Sequence, residues 1–266
     1  MRLRADEALL RAGLCDTLEQ ARAYIMEGKV INGTQKIIKP SEMIKQIELL
    51  RIKDKPSEYV SRGAYKLKKA FEVFDIDAND KVCIDIGAST GGFTDIMIRQ
   101  GARKVYAVDV GYNLLDWKIR SNSRVVVLEK TNARFLTADV LEERPSFGAT
   151  DVSFISLKAV LPAVFSVLMP NSDFIALIKP QFEADRNDVG EKGVVRDAQV
   201  HINVIKDIVN FIQTSGISAC SLDYSPIRGP EGNIEFLLHL RNDSEDKTIA
   251  PEQIEQTVAR AHESLC

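Results

Sequence analysis

The sequence predicts an α/β fold, a mainly parallel sheet covered by helices on both faces, with a small α+β head before it and a helical tail after it. Three observations carry this. Val82-Cys83-Ile84-Asp85-Ile86 is a short apolar run that breaks into Gly87, Gly91 and Gly92 and resumes with residues fit to open a helix. A strand, a tight turn and a helix N-terminus in that order are what α/β proteins use to hold a nucleotide-like ligand. Strand-like runs and helical patterns then alternate along the chain, as parallel strands joined by crossover helices require. Finally, the charge is divided. Residues 1–70 hold 15 Lys and Arg against 9 Asp and Glu, residues 71–266 hold 20 against 29, and the whole chain carries −3. A basic segment on an acidic body reads as a polyanion-binding appendage or as a solvated charged face.

Composition narrows the class. A chain of 266 residues, 45% hydrophobic, can bury one substantial core and carry a small extra domain. Cys15, Cys83, Cys220 and Cys266 are far apart and make no metal-type spacing, so reduced thiols in a cytoplasmic setting and no metal site are expected. No apolar run approaches the roughly 18 residues of a membrane helix. Met1-Arg2-Leu3-Arg4-Ala5-Asp6-Glu7 lacks the apolar core of a signal peptide.

In order along the chain, Leu3, Leu9, Leu10 and Leu14 have helical spacing, and Gly13 stands where a first helix would stop. Asp16 or Thr17 can cap a second helix carrying Leu18, Ala21 and Ile25, which Gly28 ends. Val30-Ile31-Asn32-Gly33 reads as a strand entering a tight turn, and Ile37-Ile38, Ile44 and Ile47-Glu48-Leu49-Leu50 as further short strands. The head is thus a helix–turn–helix pair on a small sheet over 1–52, with a polar linker over 53–60. In the body, 61–242, strands are expected at Val82–Ile86, 105–109, Val125–Leu128, 151–155, 174–178 and 235–240, with helices around 93–99, 157–168 and 199–214. In the tail, 243–266, Ile254, Val258, Ala261 and Leu265 fall on one helical face after Pro251, so a terminal helix should dock on the body.

Ligands of such sheets sit at the carboxyl ends of the strands, where the informative residues fall. A dinucleotide fingerprint would place glycine at positions 87, 89 and 92, but Ser89 fills the middle slot and no P-loop Lys-Ser or Lys-Thr follows. The turn Gly87-Ala88-Ser89-Thr90-Gly91-Gly92-Phe93 therefore reads as a cofactor loop of the S-adenosylmethionine type. Asp109, 22 residues beyond Gly87, can accept both hydroxyls of a cofactor ribose, or can be a surface residue starting a turn. Asp85 can bind loop amides or the cofactor's amino group, and Asn132 the adenine edge, unless it is a plain loop amide. Asp151 opens a predicted strand that ends in hydroxyls. Lys179 closes a run of five apolar residues and is locked by Pro180. A lysine at the mouth of a buried strand is costly without a partner or a task. Lys66 and Glu235 are further candidates to pair there. Singly, each of the four reads as a salt-bridging residue; their joint placement around one cleft is what points to chemistry.

The order Lys66, Asp151, Lys179, Glu235, interleaved with the glycine turn, resembles the Lys-Asp-Lys-Glu tetrad of FtsJ-like RNA 2′-O-methyltransferases. Val60-Ser61-Arg62-Gly63-Ala64-Tyr65-Lys66-Leu67, Asp109-Val110-Gly111-Tyr112, Ser153-Phe154-Ile155-Ser156-Leu157 and Lys179-Pro180-Gln181-Phe182-Glu183 are similar to the TlyA (hemolysin A) branch. The head resembles the ribosomal S-four-type RNA-binding domain through Gly13, Ala21, Ile25, Gly28 and Val30-Ile31-Asn32-Gly33. The resemblance spans nearly the whole chain. It departs at Thr17-Leu18, where that domain usually has Ser-Arg, so a phosphate contact is missing that Arg22 can replace.

The resemblance implies a Rossmann-like methyltransferase using S-adenosyl-L-methionine, with ribosomal RNA within ribosomal subunits as partner and 2′-O-methylcytidine as product. It implies Lys179 as general base, Lys66 as the neighbouring positive charge, and Asp151 and Glu235 as the carboxylates that hold them. Arg2, Arg4, Arg11, Arg22 and Lys29 are the head's candidate phosphate contacts. The linker through Arg62, which stands between head and Lys66, can couple RNA engagement to cofactor binding. Three other readings remain at this point: a membrane-active hemolysin, against which stands the lack of any membrane span; a non-catalytic RNA-binding module on a Rossmann body, against which stand the complete tetrad and glycine turn; and a dehydrogenase, disfavoured by Ser89.

Overall fold

The computed structural model describes residues 3–15, 17–53, 58–243, 245 and 247–265. The chain forms two compact units, Met1–Glu58 and Tyr59–Cys266.

In the first unit, β1 (Leu3–Arg4) leads into α1 (Ala5–Arg11), α2 (Leu18–Met26), β2 (Val30–Asn32), β3 (Gln35–Lys36), β4 (Met43–Ile44) and β5 (Leu50–Ile52). Thr17 caps α2 by accepting from the Gln20 N–H at 3.1 Å; Asp16, the other candidate, lies outside the described residues. Strands β3, β2 and β5 make a three-stranded antiparallel sheet, and β1 pairs with β4. The helices close over these strands through Ala5, Ala8, Leu9, Ala21 and Ile25, which meet Val30, Ile37, Ile44 and Leu50 in one small core. Two expected strands shift. Ile37 is core but lies past the end of β3, and Ile47–Leu49 forms a 3-10 turn that delivers Leu50 to β5.

The second unit opens with α3 (Ala64–Phe74) and continues with β6 (Val82–Ile86), α4 (Gly92–Arg99), β7 (Lys104–Val108), α5 (Trp117–Arg120), β8 (Val125–Leu128), β9 (Phe147–Thr150), α6 (Leu157–Val167), β10 (Asp173–Ile178), α7 (Pro180–Glu183), α8 (Ala198–Thr214), β11 (Ser218–Tyr224), β12 (Phe236–Arg241) and α9 (Pro251–Leu265). Its seven-stranded sheet has the order β11-β12-β10-β9-β6-β7-β8, with β12 antiparallel to both neighbours. Side chains alternate across it as the pleat demands. Val82, Ile84, Ile86, Phe174, Ala176 and Ile178 face α6, α8 and α9, whereas Cys83, Ile175 and Leu177 face α3 and α4. In α9, Ile254, Val258 and Ala261 are buried and Leu265 packs partly against the same core.

The strand expected over 151–155 is β9, Phe147–Thr150, so Asp151 does not start a strand but stands just past the end of one. The edge strand β11 is absent from the sequence reading, because Ser218, Ser221 and Asp223 interrupt it too often for an apolar run and its register shifts between Ala219 and Ser221.

Candidate active site

Strand register gathers the site. Ile86 pairs with Val108 on one side and Thr150 on the other, which places Gly87, Asp109 and Asp151 side by side at one edge of the sheet. Ala176 pairs with Thr150, so Lys179 ends its strand beside the residues after Asp151. Because β12 runs the opposite way, its first residue faces the last of β10, Phe236 against Ile178, which brings Glu235 to the same edge of the sheet. Lys66 comes from the first turn of α3, which packs on α4 behind the glycine turn.

The four side chains form one charge cluster. Lys66 Nζ lies 2.7 Å from Glu235 Oε2 and 3.1 Å from Asp151 Oδ2, and Lys179 Nζ lies 2.5 Å from Asp151 Oδ1. Lys179 also donates to Ser153 Oγ at 2.9 Å. Lys66, Lys179 and Glu235 are buried. Burial pulls the Lys66 ammonium down, but Asp151 and Glu235 together outweigh it and leave its pKa above the ordinary lysine value. Burial likewise acts to raise Asp151, yet Lys66 and Lys179 hold its carboxyl below the usual range. For Glu235 burial prevails, and its carboxyl is raised. The cluster therefore contains one firmly cationic lysine, one firmly anionic bridge, and a second lysine that faces a single shared carboxylate and a hydroxyl.

The glycine turn forms the adjoining wall. At Gly87, φ is +82° and a Cβ would lie 3.1 Å from the Asp151 carbonyl oxygen, so only glycine lets the turn press against the end of β9. A cavity of about 250 Å³ is lined by Ser61, Lys66, Asp85, Gly87, Ala88, Thr90, Gly92, Phe93, Lys179 and the 227–230 loop. It shares Gly87, Ser89, Asp151 and Ser153 with a more apolar cavity of about 460 Å³ that adds Asp109, Leu114, Asn132, Phe154 and Val160. Asp85 accepts from the Thr94 N–H at 2.9 Å and hydroxyl at 2.6 Å through Oδ2, while its buried Oδ1 has no partner. Asp109 accepts from the Ser89 N–H at 2.8 Å and the Gly111 N–H at 2.7 Å, bracing the turn while still lining the larger cavity. Asn132 Oδ1 accepts from the Arg134 N–H at 3.1 Å, and the residue lines the same cavity. Of the cofactor candidates, Gly91 alone lines neither cavity; it stands at the start of α4 with Leu115 and Ile119 close by.

Of the head cations, Arg4 and Arg22 both pair at 3.0 Å with Asp6, which is fully buried, and each keeps about half its side-chain surface exposed. Lys29 pairs with Glu27 at 2.6 Å. Arg11 is exposed, and Arg2 lies outside the described residues. In the second unit, Arg62 lines the 250 Å³ cavity and donates to the Arg228 carbonyl at 2.7 Å.

Sequence reasoning missed Phe154. It is 90% exposed, lines the larger cavity with φ +63°, and packs against Phe182 with ring centroids 5.0 Å apart and the ring planes tilted by 50°. Reading 151–155 as a strand concealed it, since an aromatic there looks like core. Ser153 stood in a family-like string but was given no role, and the Arg228–Pro230 loop was missed for want of any motif of its own.

Among the described residues, no helix is long and apolar enough to cross a membrane, and no group of three or more His, Cys, Asp or Glu side chains is arranged to hold a metal ion. The FtsJ-like methyltransferase family matches residues 59–242. The candidate rRNA methyltransferase YqxC of Bacillus subtilis is 47% identical, the match covering 98% of this chain and 95% of that protein. The 16S/23S rRNA (cytidine-2′-O)-methyltransferase TlyA of Mycobacterium tuberculosis is 40% identical, over 98% of this chain and 97% of its own length. A solved structure of a candidate hemolysin from Streptococcus thermophilus is 43% identical and superposes with a TM-score of 0.78, covering 99% of this chain and 96% of that one. The fold is the Rossmann-like fold of methyltransferases, and the chain belongs to the FtsJ-like methyltransferase family.

Proposed function

We propose that this protein transfers a methyl group from S-adenosylmethionine to a ribose 2′-hydroxyl of ribosomal RNA, with cytidine as the nucleotide and the cytoplasm as the setting. The observation that carries this reading is the Lys66–Asp151–Lys179–Glu235 cluster opening into the same cleft as the glycine turn. The names of the YqxC and TlyA relatives support the substrate.

The residues present fit the cofactor. Asp85 Oδ1 is a buried acceptor without a partner, suited to an amino group, and Gly87 leaves room where a Cβ would not. The apolar cavity beside Asp109 and Asn132 suits an adenosine. When bound, the cofactor supplies an electrophilic methyl on a sulfonium.

Everything else falls to the chain. Methyl transfer from a sulfonium is an in-line displacement, so most of the catalysis is positioning. A ribose hydroxyl becomes an adequate nucleophile only as its proton is drawn away. Lys66, paired with two carboxylates, stays charged and orients the hydroxyl. Lys179, paired with one shared carboxylate, is the proton acceptor. Asp151 holds the two amines a fixed distance apart, and Glu235 balances the second positive charge. Phe154 offers an exposed aromatic face on the larger cavity, on which a base can stack. The head, residues 1–52, is the RNA-binding domain, with Arg4, Arg11, Arg22 and Lys29 meeting phosphates, and 53–60 is its linker.

Lys179→Ala and Asp151→Ala should each lower methylation of ribosomal RNA by at least about a hundredfold, the scale of a lost general base, while cofactor affinity measured by calorimetry stays near the wild-type value. Near-normal turnover in both variants would show that the cluster is a structural salt bridge.

A further inference from the structure

The segment after β10 and the loop after β9 are tied at three successive points. Lys179 reaches Asp151 and Ser153. Phe182 lies against Phe154. Glu183, the last residue of α7, accepts from the Ser156 hydroxyl at 2.6 Å and, through its other oxygen, from the Leu157 N–H at 2.8 Å. Both carboxylate oxygens are thus spent on the first turn of α6, where exposed N–H groups favour a negative charge.

Neither segment holds its shape alone. Helix α7 has four residues, too few to be stable without outside contacts. Residues 151–156 form no helix or strand, and Phe154 sits in a left-handed conformation that costs a bulky residue about 1 kcal/mol or more. Each segment takes its conformation from the other. The tie nearest the cleft is made by the groups that do the chemistry, and the tie farthest from it is Glu183.

We propose that Glu183 is a positioning residue for methyl transfer. By fixing the end of α7 to the start of α6, it keeps the Ser153–Phe154 loop seated against Lys179, so the proton acceptor and the aromatic face hold one relative placement as RNA enters. This rests on the methyl-transfer reading of the site. A simple helix cap in the same place would matter for stability and not for rate.

The test uses the full chain with Glu183→Ala, Glu183→Gln and Ser156→Ala. Single-turnover methylation at saturating RNA is measured together with cofactor affinity and amide hydrogen exchange over residues 152–157. Glu183→Ala should slow the chemical step about ten- to a hundredfold, the scale of a misplacement near 1 Å, with cofactor affinity within about twofold and faster exchange in the loop. Glu183→Gln, whose oxygen can accept from the Leu157 N–H while its amide nitrogen donates to the Ser156 hydroxyl oxygen, should restore rate and protection. An undiminished rate in Glu183→Ala overturns the proposal, whatever the melting temperature. If that variant fails to fold, Ser156→Ala removes one of the two contacts and should slow the step severalfold; no change there overturns it equally. Wild-type protein inactive on ribosomal RNA overturns the underlying reading of the site instead, and loop exchange unchanged by Glu183→Ala overturns the tie itself.

Discussion

Asp85 lies inside β6 with Oδ2 satisfied by Thr94 and Oδ1 facing the cleft alone. Burial pushes its carboxyl up to about 7, against the partial relief of the Thr94 contacts. From about pH 4 to about pH 7 the folded chain therefore keeps a proton that the unfolded chain has released. Stability falls as pH rises through that window, and the loss is complete above it. Asparagine can keep the Thr94 contacts but carries no charge. In cofactor-free protein, Asp85→Asn should raise the melting temperature at pH 8 and flatten the decline between pH 4 and 7. It should also weaken the cofactor by about tenfold or more, the worth of a hydrogen bond to a charged group. Thermal melts across pH and a calorimetric titration read both arms. A variant that binds the cofactor as wild type does would remove Asp85 from the site. At this scale much was legible: Lys66, Asp151, Lys179 and Glu235 are separated by up to 169 positions in sequence, yet Asp151, Lys179 and Glu235 stood out as charges at the ends of apolar runs and Lys66 as a charge that could pair with a carboxylate. Legible too were Asp85 and Gly87. What was not legible was which partners each would take. Asp109 braces backbone amides of Ser89 and Gly111, and nothing in its local sequence distinguishes that from a ribose contact.

Among the elements, the turn at Gly87 and the end of β9 act as one joint. The Gly87 and Ala88 N–H groups both donate to the Val108 carbonyl, and the Asp151 N–H donates to the Ile86 carbonyl. Gly87→Ala would force a Cβ to within 3.1–3.2 Å of the Asp151 backbone and the Val152 side chain, at a φ that L side chains rarely adopt. It should cost roughly 1–3 kcal/mol of stability and weaken cofactor binding and turnover together, read by denaturant melts and calorimetry. Unaltered cofactor affinity would mean that the turn is not the cofactor wall. β9 itself explains the misplaced strand. Gly148 and Ala149 are poor strand formers, whereas Val152, Phe154 and Ile155 have the composition of one. The structure needs glycine at 148 because a Cβ there would sit 2.6 Å from the Phe174 ring and 2.9 Å from Ile84. Close packing between neighbouring strands made the choice, and a single strand's sequence cannot display it. The strands whose runs are wholly or almost wholly apolar, β6, β8 and β10, were legible for the opposite reason.

Over the whole molecule, the first 70 residues are basic and the remainder is acidic, as a polyanion-binding appendage on a separate body would be. Asp6 organises part of the basic side: its carboxyl is held down to about 2, chiefly by the Arg4 hydrogen bond, and it anchors Arg4 and Arg22 while leaving both half exposed. If those guanidiniums meet phosphate, RNA affinity must depend on salt. Raising monovalent salt from about 50 to about 200 mM should weaken RNA binding by roughly ten- to a hundredfold, as release of counterions from about three phosphates requires. Cofactor affinity, on the proposed reading a matter of Asp85, Asp109 and the glycine turn, should change little. Filter binding and calorimetry at the two salt concentrations separate the arms, and RNA binding insensitive to salt would take the head out of phosphate recognition. The measurement closest to the central claim is nucleoside analysis of ribosomal RNA after incubating ribosomal subunits with S-adenosylmethionine and either wild-type protein or Lys179→Ala. Appearance of 2′-O-methylcytidine with wild type, and its loss in a variant that still binds cofactor, is the predicted result. A methyl group on a base with the ribose unmodified, or undiminished 2′-O-methylation by Lys179→Ala, would contradict it.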